Sequence, residues 1–424
     1  MVRLDDDHSL TFTIIADKPL TNSLSAIIAE NYRLVLARGP IMFRYLTIIA
    51  VLLFAPVDDN DVRTKVPTNP FECAHARSFR FDKTGRRIMC VTQRGELLVW
   101  NDNGESPVVT TLERTPGGGV FDRAPMSAVL VAGRAEVVLF YLDGRVQVRS
   151  IDTGRKIKDL ESDRKDFSYA HSSLDGELVA CLSHGRQGNS SAILLWNTRD
   201  WTTAGKIESA ERINDFCFTA DGRQVLACVG HPTDQKHLGF TGIVAWNLAT
   251  KQDAGRIEYG TGFPIRIAVS SDARWVATGG GDAVPVAVNA RSLSGHLRIF
   301  DWKDKKFVTE PYTLASDYVR AVEFSPDSRS LYSGSFSTPP GGGQYIAGIR
   351  AFRVGSVRRV WIPLWDATLG NGNPHELSVS PNGMDILVPD SGKLQIVDAN
   401  DGAVRGAKLT FRFYPEDRDE EKLR

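Results

Sequence analysis

One short unit recurs along most of this chain: an apolar run ending in Ser or Thr, an x-Asp-Gly turn, a second apolar run, then an aromatic-polar pair. Ile213–Gly222 reads INDFCFTADG, followed by RQVLACVG and later by GIVAWNLAT. Val319–Ser328 reads VRAVEFSPDS, with RSLYSGS and GIRAFRV behind it. Glu376–Gly383 reads ELSVSPNG, followed by MDILVPDSGKLQIVDANDG. Phe167–Gly176, Pro264–Ala273 and Ala76–Gly85 fit the same frame, and a weaker copy runs through Met126–Ala135. Short apolar or alternating runs bounded by Gly, Pro, Asn and Asp mark short strands, and little helical periodicity competes with them after residue 57.

The turn positions fall at Gly85, Ala135, Gly176, Gly222, Ala273, Ser328 and Gly383, in steps of 41 to 55 residues. A four-stranded propeller blade takes about 40–50 residues. One blade cannot bury both its faces alone. Seven stacked around an axis bury them against neighbours and leave few open sheet edges. The expected fold is therefore all-β, a seven-bladed β-propeller of four-stranded antiparallel blades spanning residues 71–414. Lys408–Tyr414 (KLTFRFY) alternates with period two and is expected as the outer strand of the last blade, with Val62–Val66 as the competing candidate.

Third strands end in Trp100-Asn101, Trp196-Asn197, Trp246-Asn247, Phe300-Asp301 and Val397-Asp398, and the turns read SSLDG, TADG, SSDA, SPDS and SPNG. On these residues the unit resembles a degenerate WD40 repeat, whose third strand ends in Trp-Asp, over roughly residues 71–414. The Gly-His dipeptide that opens repeats of that family is missing, as is, in most blades, the buried Asp before the third strand. The resemblance implies a monomeric platform for assembly with a protein or peptide partner.

Charge and composition exclude several classes. Basic and acidic residues balance at 51 each, so the basic excess that nucleic acid binding needs is absent. A hydrophobic share of 42% excludes a largely disordered chain. Five cysteines, an odd number from Cys73 to Cys228, make no dense disulfide framework. Cys90, Cys181 and Cys228 read as equivalent second-strand positions, where later blades have Thr278 and Ser333.

The N-terminus stands apart. Ile41–Val57 reads IMFRYLTIIAVLLFAPV, the apolar length of a secretory signal and too short for an easy bilayer span. The expected organisation is a doubtful extension over 1–41, a signal-like segment over 42–57, a linker over 58–70, the propeller, and a charged tail over 415–424. A periplasmic or secreted location follows, with membrane contact only through 42–57 if it is uncleaved. A buried element packed on the main domain, which fits a cytoplasmic protein, and a membrane anchor are the competing readings.

No nucleophile elbow and no HExxH occur, and no catalytic residue or cofactor is assigned. The glycine triplets 117–119, 279–281 and 341–343 lack the strand–loop–helix context of a phosphate cradle. His231, Asp234 and His237 are weak metal candidates, with His184 on the neighbouring loop, because their spacing is not a recognised ligand pattern.

Long loops from blades 3 to 6 (Ser183–Ser191, Gly230–Gly242, Gly279–His296 and Gly334–Gly348) are expected on one face, where a rigid scaffold concentrates binding residues. At the channel mouth of that face the first strands align Ser78, Ala128, Tyr169, Asp215, Arg266, Ala321 and Glu376, with Arg320 and His375 adjacent. Tyr169, Asp215, Arg266, Arg320, His375 and Glu376 are the candidate partner-binding residues; the competing expectation is that they pair with one another and close the channel. Two function classes stand. One is an exported, non-catalytic scaffold for a protein or peptide. The other is a propeller enzyme at the same mouth, a lactonase-like hydrolase or a quinone- or metal-dependent oxidoreductase.

Overall fold

The Asp-Gly clusters reverse the chain between the first two strands of a blade, and in blades 3 to 7 a side-chain clamp holds the reversal. In blade 3 Ser173 Oγ donates to Asp175 Oδ1 at 2.6 Å and accepts the Leu178 amide at 2.9 Å. Thr219, Ser270, Ser325 and Ser380 repeat both bonds in blades 4 to 7. The residue after the clamp's Asp or Asn-type member then turns left-handed: φ is +75° at Gly176, +66° at Gly222, +57° at Ala273, +62° at Ser328 and +73° at Gly383. Blade 2 departs from the expected position. Its left-handed residue is Gly133 (φ +77°), two before Ala135, because Val131-Ala132-Gly133 carries no clamp and only the glycine tolerates that conformation cheaply.

A computed structural model describes residues 2–4, 10–12, 411–413 and, with several loop stretches left out, 76–404. The chain divides into two compact units, Met1–Val66 and Pro67–Arg424. In the first, β1 (Val2–Leu4) pairs antiparallel with β2 (Leu10–Phe12). The second is the seven-bladed propeller, all-β, with no helix among the described residues.

Blade 1 is β3 (Ala76–Phe81), β4 (Arg87–Thr92), β5 (Glu96–Asn101) and β6 (Val108–Thr111). Blade 2 is β7 (Ser127–Leu130), β8 (Glu136–Phe140), β9 (Val146–Ser150) and β10 (Lys156–Leu160). Blade 3 is β11 (Phe167–Ser172), β12 (Leu178–His184), β13 (Ser191–Asn197) and β14 (Thr203–Ser209). Blade 4 is β15 (Ile213–Phe218), β16 (Gln224–Val229), β17 (Gly242–Asn247) and β18 (Asp253–Glu258). Blade 5 is β19 (Phe263–Val269), β20 (Trp275–Val286), β21 (Ala290–Asp301) and a split outer strand, β22 (Lys306–Phe307) and β23 (Tyr312–Ala315), both on β21. Blade 6 is β24 (Asp317–Phe324), β25 (Ser330–Ser337), β26 (Ile346–Arg353) and β27 (Pro363–Thr368). Blade 7 is β28 (Ser378–Val379), β29 (Asp385–Asp390) and β30 (Lys393–Asp398), with a single bridge from Val397 to Val404.

The last strand corrects an expectation. β31 (Phe411–Phe413) pairs with β27, adding a fifth strand to blade 6, and does not close blade 7. Its alternation reveals a strand but not the strand's partner. Val62–Val66, residues 42–57 and the tail over 415–424 lie outside the described residues.

Among the described residues the apolar core comes in seven clusters, one between each pair of adjacent blades. Blades 7 and 1 share one of them, where Leu387 and Leu394 pack with Phe79, Cys90 and Trp100, so packing closes the ring. Where a third-strand pair carries an aromatic, that ring anchors these layers. Trp100, Trp196, Phe300 and Phe352 are at most 1% exposed, and each such burial stabilises by about 1.5–3 kcal/mol. Blade 2 has Arg149 at that position, opposite Val137, held by the Gly154 carbonyl at 3.0 Å.

A one-residue slip also corrects the cysteine alignment. Counting from the partner of each third-strand aromatic, Cys90, Cys181, Thr278 and Ser333 are equivalent, while blade 4 has Ala227 there. Cys228 lies one residue on and so packs toward blade 5 rather than blade 3. Burial pushes the Cys181, Cys217 and Cys228 thiols well above their ordinary range.

Candidate functional site at the channel mouth

The innermost strands of blades 1, 3, 4, 5 and 6 each slip register near their start, between Ala76/Ser78, Phe167/Ala170, Ile213/Asp215, Pro264/Arg266 and Val319/Ala321. A bulge re-aims the side chains around it. Repeated in five blades, it turns polar residues toward the axis and toward the next blade.

Arg266 is the centre of this ring. Its Nη2 donates to the Tyr169 hydroxyl at 2.7 Å, and the guanidinium stacks 4.1 Å above the Tyr169 ring. Its Nε donates to the Arg320 carbonyl at 2.8 Å and, at 3.4 Å, to that of His375. One side chain of blade 5 thus bonds to blades 3, 6 and 7. Burial works against its charge, but Tyr169, Asp215 and Glu376 outweigh burial and raise its pKa. Tyr169 remains exposed, and Arg320 and His375 are half-buried, meeting Arg266 through their carbonyls.

The acids lie in pairs between blades. Glu376 meets Arg80 at 3.0 Å across the blade 7–blade 1 seam, where Arg80 also donates to the Leu377 carbonyl. Asp215, only 4% exposed, lies 3.3 Å from His171 Nε2 in blade 3 and accepts the Ile267 amide of blade 5. Of the six candidates, Tyr169 and Arg266 thus bond through their side chains, and Arg320 and His375 meet Arg266 through their carbonyls. Asp215 and Glu376 pair instead with His171 and Arg80 and act on Arg266 at longer range. Ser78 donates to the Ala128 carbonyl at 2.9 Å, whereas the Ala128 and Ala321 side chains belong to interblade cores.

Three residues of this ring escaped the sequence alignment: Arg80, His171 and Glu323. Each lies two residues after the aligned position of its own strand, hence on the same strand face, so period-two alternation was the available signal. Burial raises the Glu323 carboxyl above the usual carboxylate range; Arg80 and His171 oppose this, and Glu376 and Asp215 add to it.

His231, Asp234 and His237 lie outside the described residues. Among the described residues no three His, Cys, Asp or Glu side chains are grouped to hold a metal ion. A shallow cleft of about 660 Å³ lies on blade 3 between Glu161–Asp163 and Trp196–Lys206, and shares no lining residue with the mouth.

No protein-family model matches the sequence, and no curated protein does. Solved structures do match, 1469 chains in all, a breadth that marks a widely used fold and selects no activity. One is the hydrazine synthase of Kuenenia stuttgartiensis, aligned with a TM-score of 0.60 at 13% identity over 81% of this chain and 99% of that one. At that identity the likeness shows the propeller fold alone.

Proposed function

We propose that the chain is an exported, non-catalytic propeller scaffold of the degenerate WD40-like kind. It binds a protein or peptide partner on the face carrying the long connections of blades 3 to 6. The observation that carries this reading is the blade 5 connection. Sequence composition marks Gly279–His296 as a loop, yet β20 and β21 stay paired for five rungs beyond Gly281, from Asp282↔Ser294 to Val286↔Ala290. β23 adds to the same ladder at Ser294–Leu297. A hydrogen-bonded projection loses less conformational freedom on binding than a loop of equal length, which favours a docking role. The mouth charges support it too, since most are engaged in holding blades together.

The enzyme reading keeps one observation in its favour. Glu323 is a carboxyl shifted upward beside Arg80 and His171, and such perturbed acids concentrate at catalytic sites. Affinity capture from the native source separates the two. Full-length bait is compared with a bait in which residues 284–292 are replaced by Asn-Gly, after circular dichroism confirms the fold of both. A partner held by the first and lost by the second supports the scaffold and its face. Equal capture removes the hairpin from the interface, and stoichiometric metal or cofactor in the purified bait favours the enzyme. The mass of the recovered bait reports whether residues 1–57 have been removed.

A further inference from the structure

We infer that the mouth above blades 3 and 4 is a carboxylate-binding site, in which Arg212 takes an acidic group of the docked peptide. This rests on the scaffold reading and names the partner's chemistry. The bulge of β11 places Ser168 and Tyr169 side by side at the mouth. Tyr169 holds Arg266, as described. Ser168 lies on the other flank, 3.3 Å from His184 Nε2. Ser168 Oγ donates to the Leu182 carbonyl at 3.3 Å, so its lone pair faces His184 Nε2. His184 Nδ1 is left to accept from the Ser191 hydroxyl 3.5 Å away, whose oxygen also accepts the Ile213 amide at 3.0 Å. The imidazole then donates from Nε2 to Ser168. Burial lowers the His184 pKa and the Arg212 charge lowers it further, against the opposing effect of Asp166. A neutral ring between two hydroxyls is the result, adding no charge of its own.

Arg212 stands beside this ring at the start of blade 4. Its Nε is buried and has no hydrogen-bond partner. The neighbouring acid, Glu211, is taken by Arg256 at 3.0 Å. Arg266 differs in being fully anchored, but every acceptor it contacts is neutral: three backbone carbonyls and the Tyr169 hydroxyl. Asp215 and Glu376 act on it only at longer range and are bonded to His171 and Arg80. Neither guanidinium is in contact with a described carboxylate, but only that of Arg212 has a donor left unpartnered. A buried charged donor without an acceptor is costly, and a planar carboxylate is the group whose two oxygens match the guanidinium fork. A nucleic acid phosphate backbone is disfavoured because the chain as a whole carries no net charge.

The test uses the full-length chain and a displayed library of random heptapeptides. Selected peptides are expected to share an Asp or Glu at a fixed position, and their synthetic forms to bind Arg212→Gln roughly 10-fold to 100-fold more weakly than wild type. Arg212→Lys should restore part of the loss. Changing that acid to its amide should weaken binding to wild type and cost nothing further in Arg212→Gln. The Arg212 side chain makes no hydrogen bond to a described residue, and its carbonyl, which accepts the Gly230 amide at 3.1 Å, is kept in the glutamine variant. No fall in melting temperature is therefore expected, which separates binding from folding. Peptides without a shared acid, or an acid whose loss is felt equally by wild type and variant, overturn the site. If no peptide is selected while Arg212→Gln still captures the native partner, the carboxylate site falls and the scaffold stands. If neither peptide nor partner is held, both fall.

Discussion

The two faces of the ring are built on different principles. On the face of the Asp-Gly turns, the same clamp and the same left-handed conformation recur through blades 3 to 7, and turns rest on the ones before them. A Cβ on Gly176 would meet the Ala132 carbonyl oxygen, one on Gly222 would meet Asp175, one on Gly383 would meet Pro326, and one on Gly85 would meet Pro381 across the seam. At the other face the bulges recur but the side chains they carry do not: Tyr169, Asn214, Ile265 and Arg320 differ in size, charge and partner. Regularity marks the face that holds the ring together. Irregularity on a shared backbone device marks the face free to specialise.

The sharpest way to break this comparison is Gly176→Ala. The methyl would sit 2.1 Å from the Ala132 oxygen, a backbone atom, on a residue whose φ is +75°. Backbone strain and overpacking together predict a loss of about 2–5 kcal/mol, read as a lowered melting temperature. Gly255→Ala is the control: φ is +140° but nothing lies within 4 Å, so strain acts alone and the loss is smaller. Equal losses at the two positions would show that the turns do not lean on one another.

The mouth face is tested through Glu323. Because burial raises its carboxyl, the folded ring prefers the protonated form. Stability owed to that preference is fully present below the unfolded carboxylate range and falls as pH rises from there through the folded pKa. Wild type is therefore expected to lose stability relative to Glu323→Gln across that interval, as followed by thermal melts at a series of pH values. A difference that stays flat with pH would mean that Glu323 ionises as it does in water, and that the channel offers no low-dielectric setting.

What could be read from the sequence follows the range of the interaction. The turns at Gly176, Gly222 and Gly383 and the buried third-strand aromatics are set by residues within one hairpin, and they stand where the pattern puts them. Cys228 shows how little slack a strand allows: a shift of one residue moves a side chain from one interblade core to the next. Arg80, His171 and Glu323 were visible as period-two partners of the aligned ring, but only once strand register was fixed. β31 was legible as a strand and not as a partner of β27, because pairing between distant segments leaves no local mark. The blade 5 hairpin was hidden by its glycines, although Val284 and Val286 alternate as a strand should.

Blades 5 and 6 offer the finest test of the regular face, since they place Ala273 and Ser328 where the other clamped turns have glycine. Ser328 repays part of its strain, its hydroxyl accepting the Asp272 amide at 3.1 Å. Ala273 has no such bond to offer, and it holds φ at +57°. An L-residue in that conformation is strained by about 1–2 kcal/mol, while glycine costs about 0.5–1 kcal/mol more chain entropy on folding. The difference predicts that Ala273→Gly stabilises the ring by about 0.5–1 kcal/mol, visible as a small rise in melting temperature. Ser328→Gly should gain less or lose, because the relief of strain is set against a lost hydrogen bond between adjacent turns. A destabilised Ala273→Gly would mean that the methyl is held in contact with the neighbouring blade, making the turn face a packed surface in blade 5 as well.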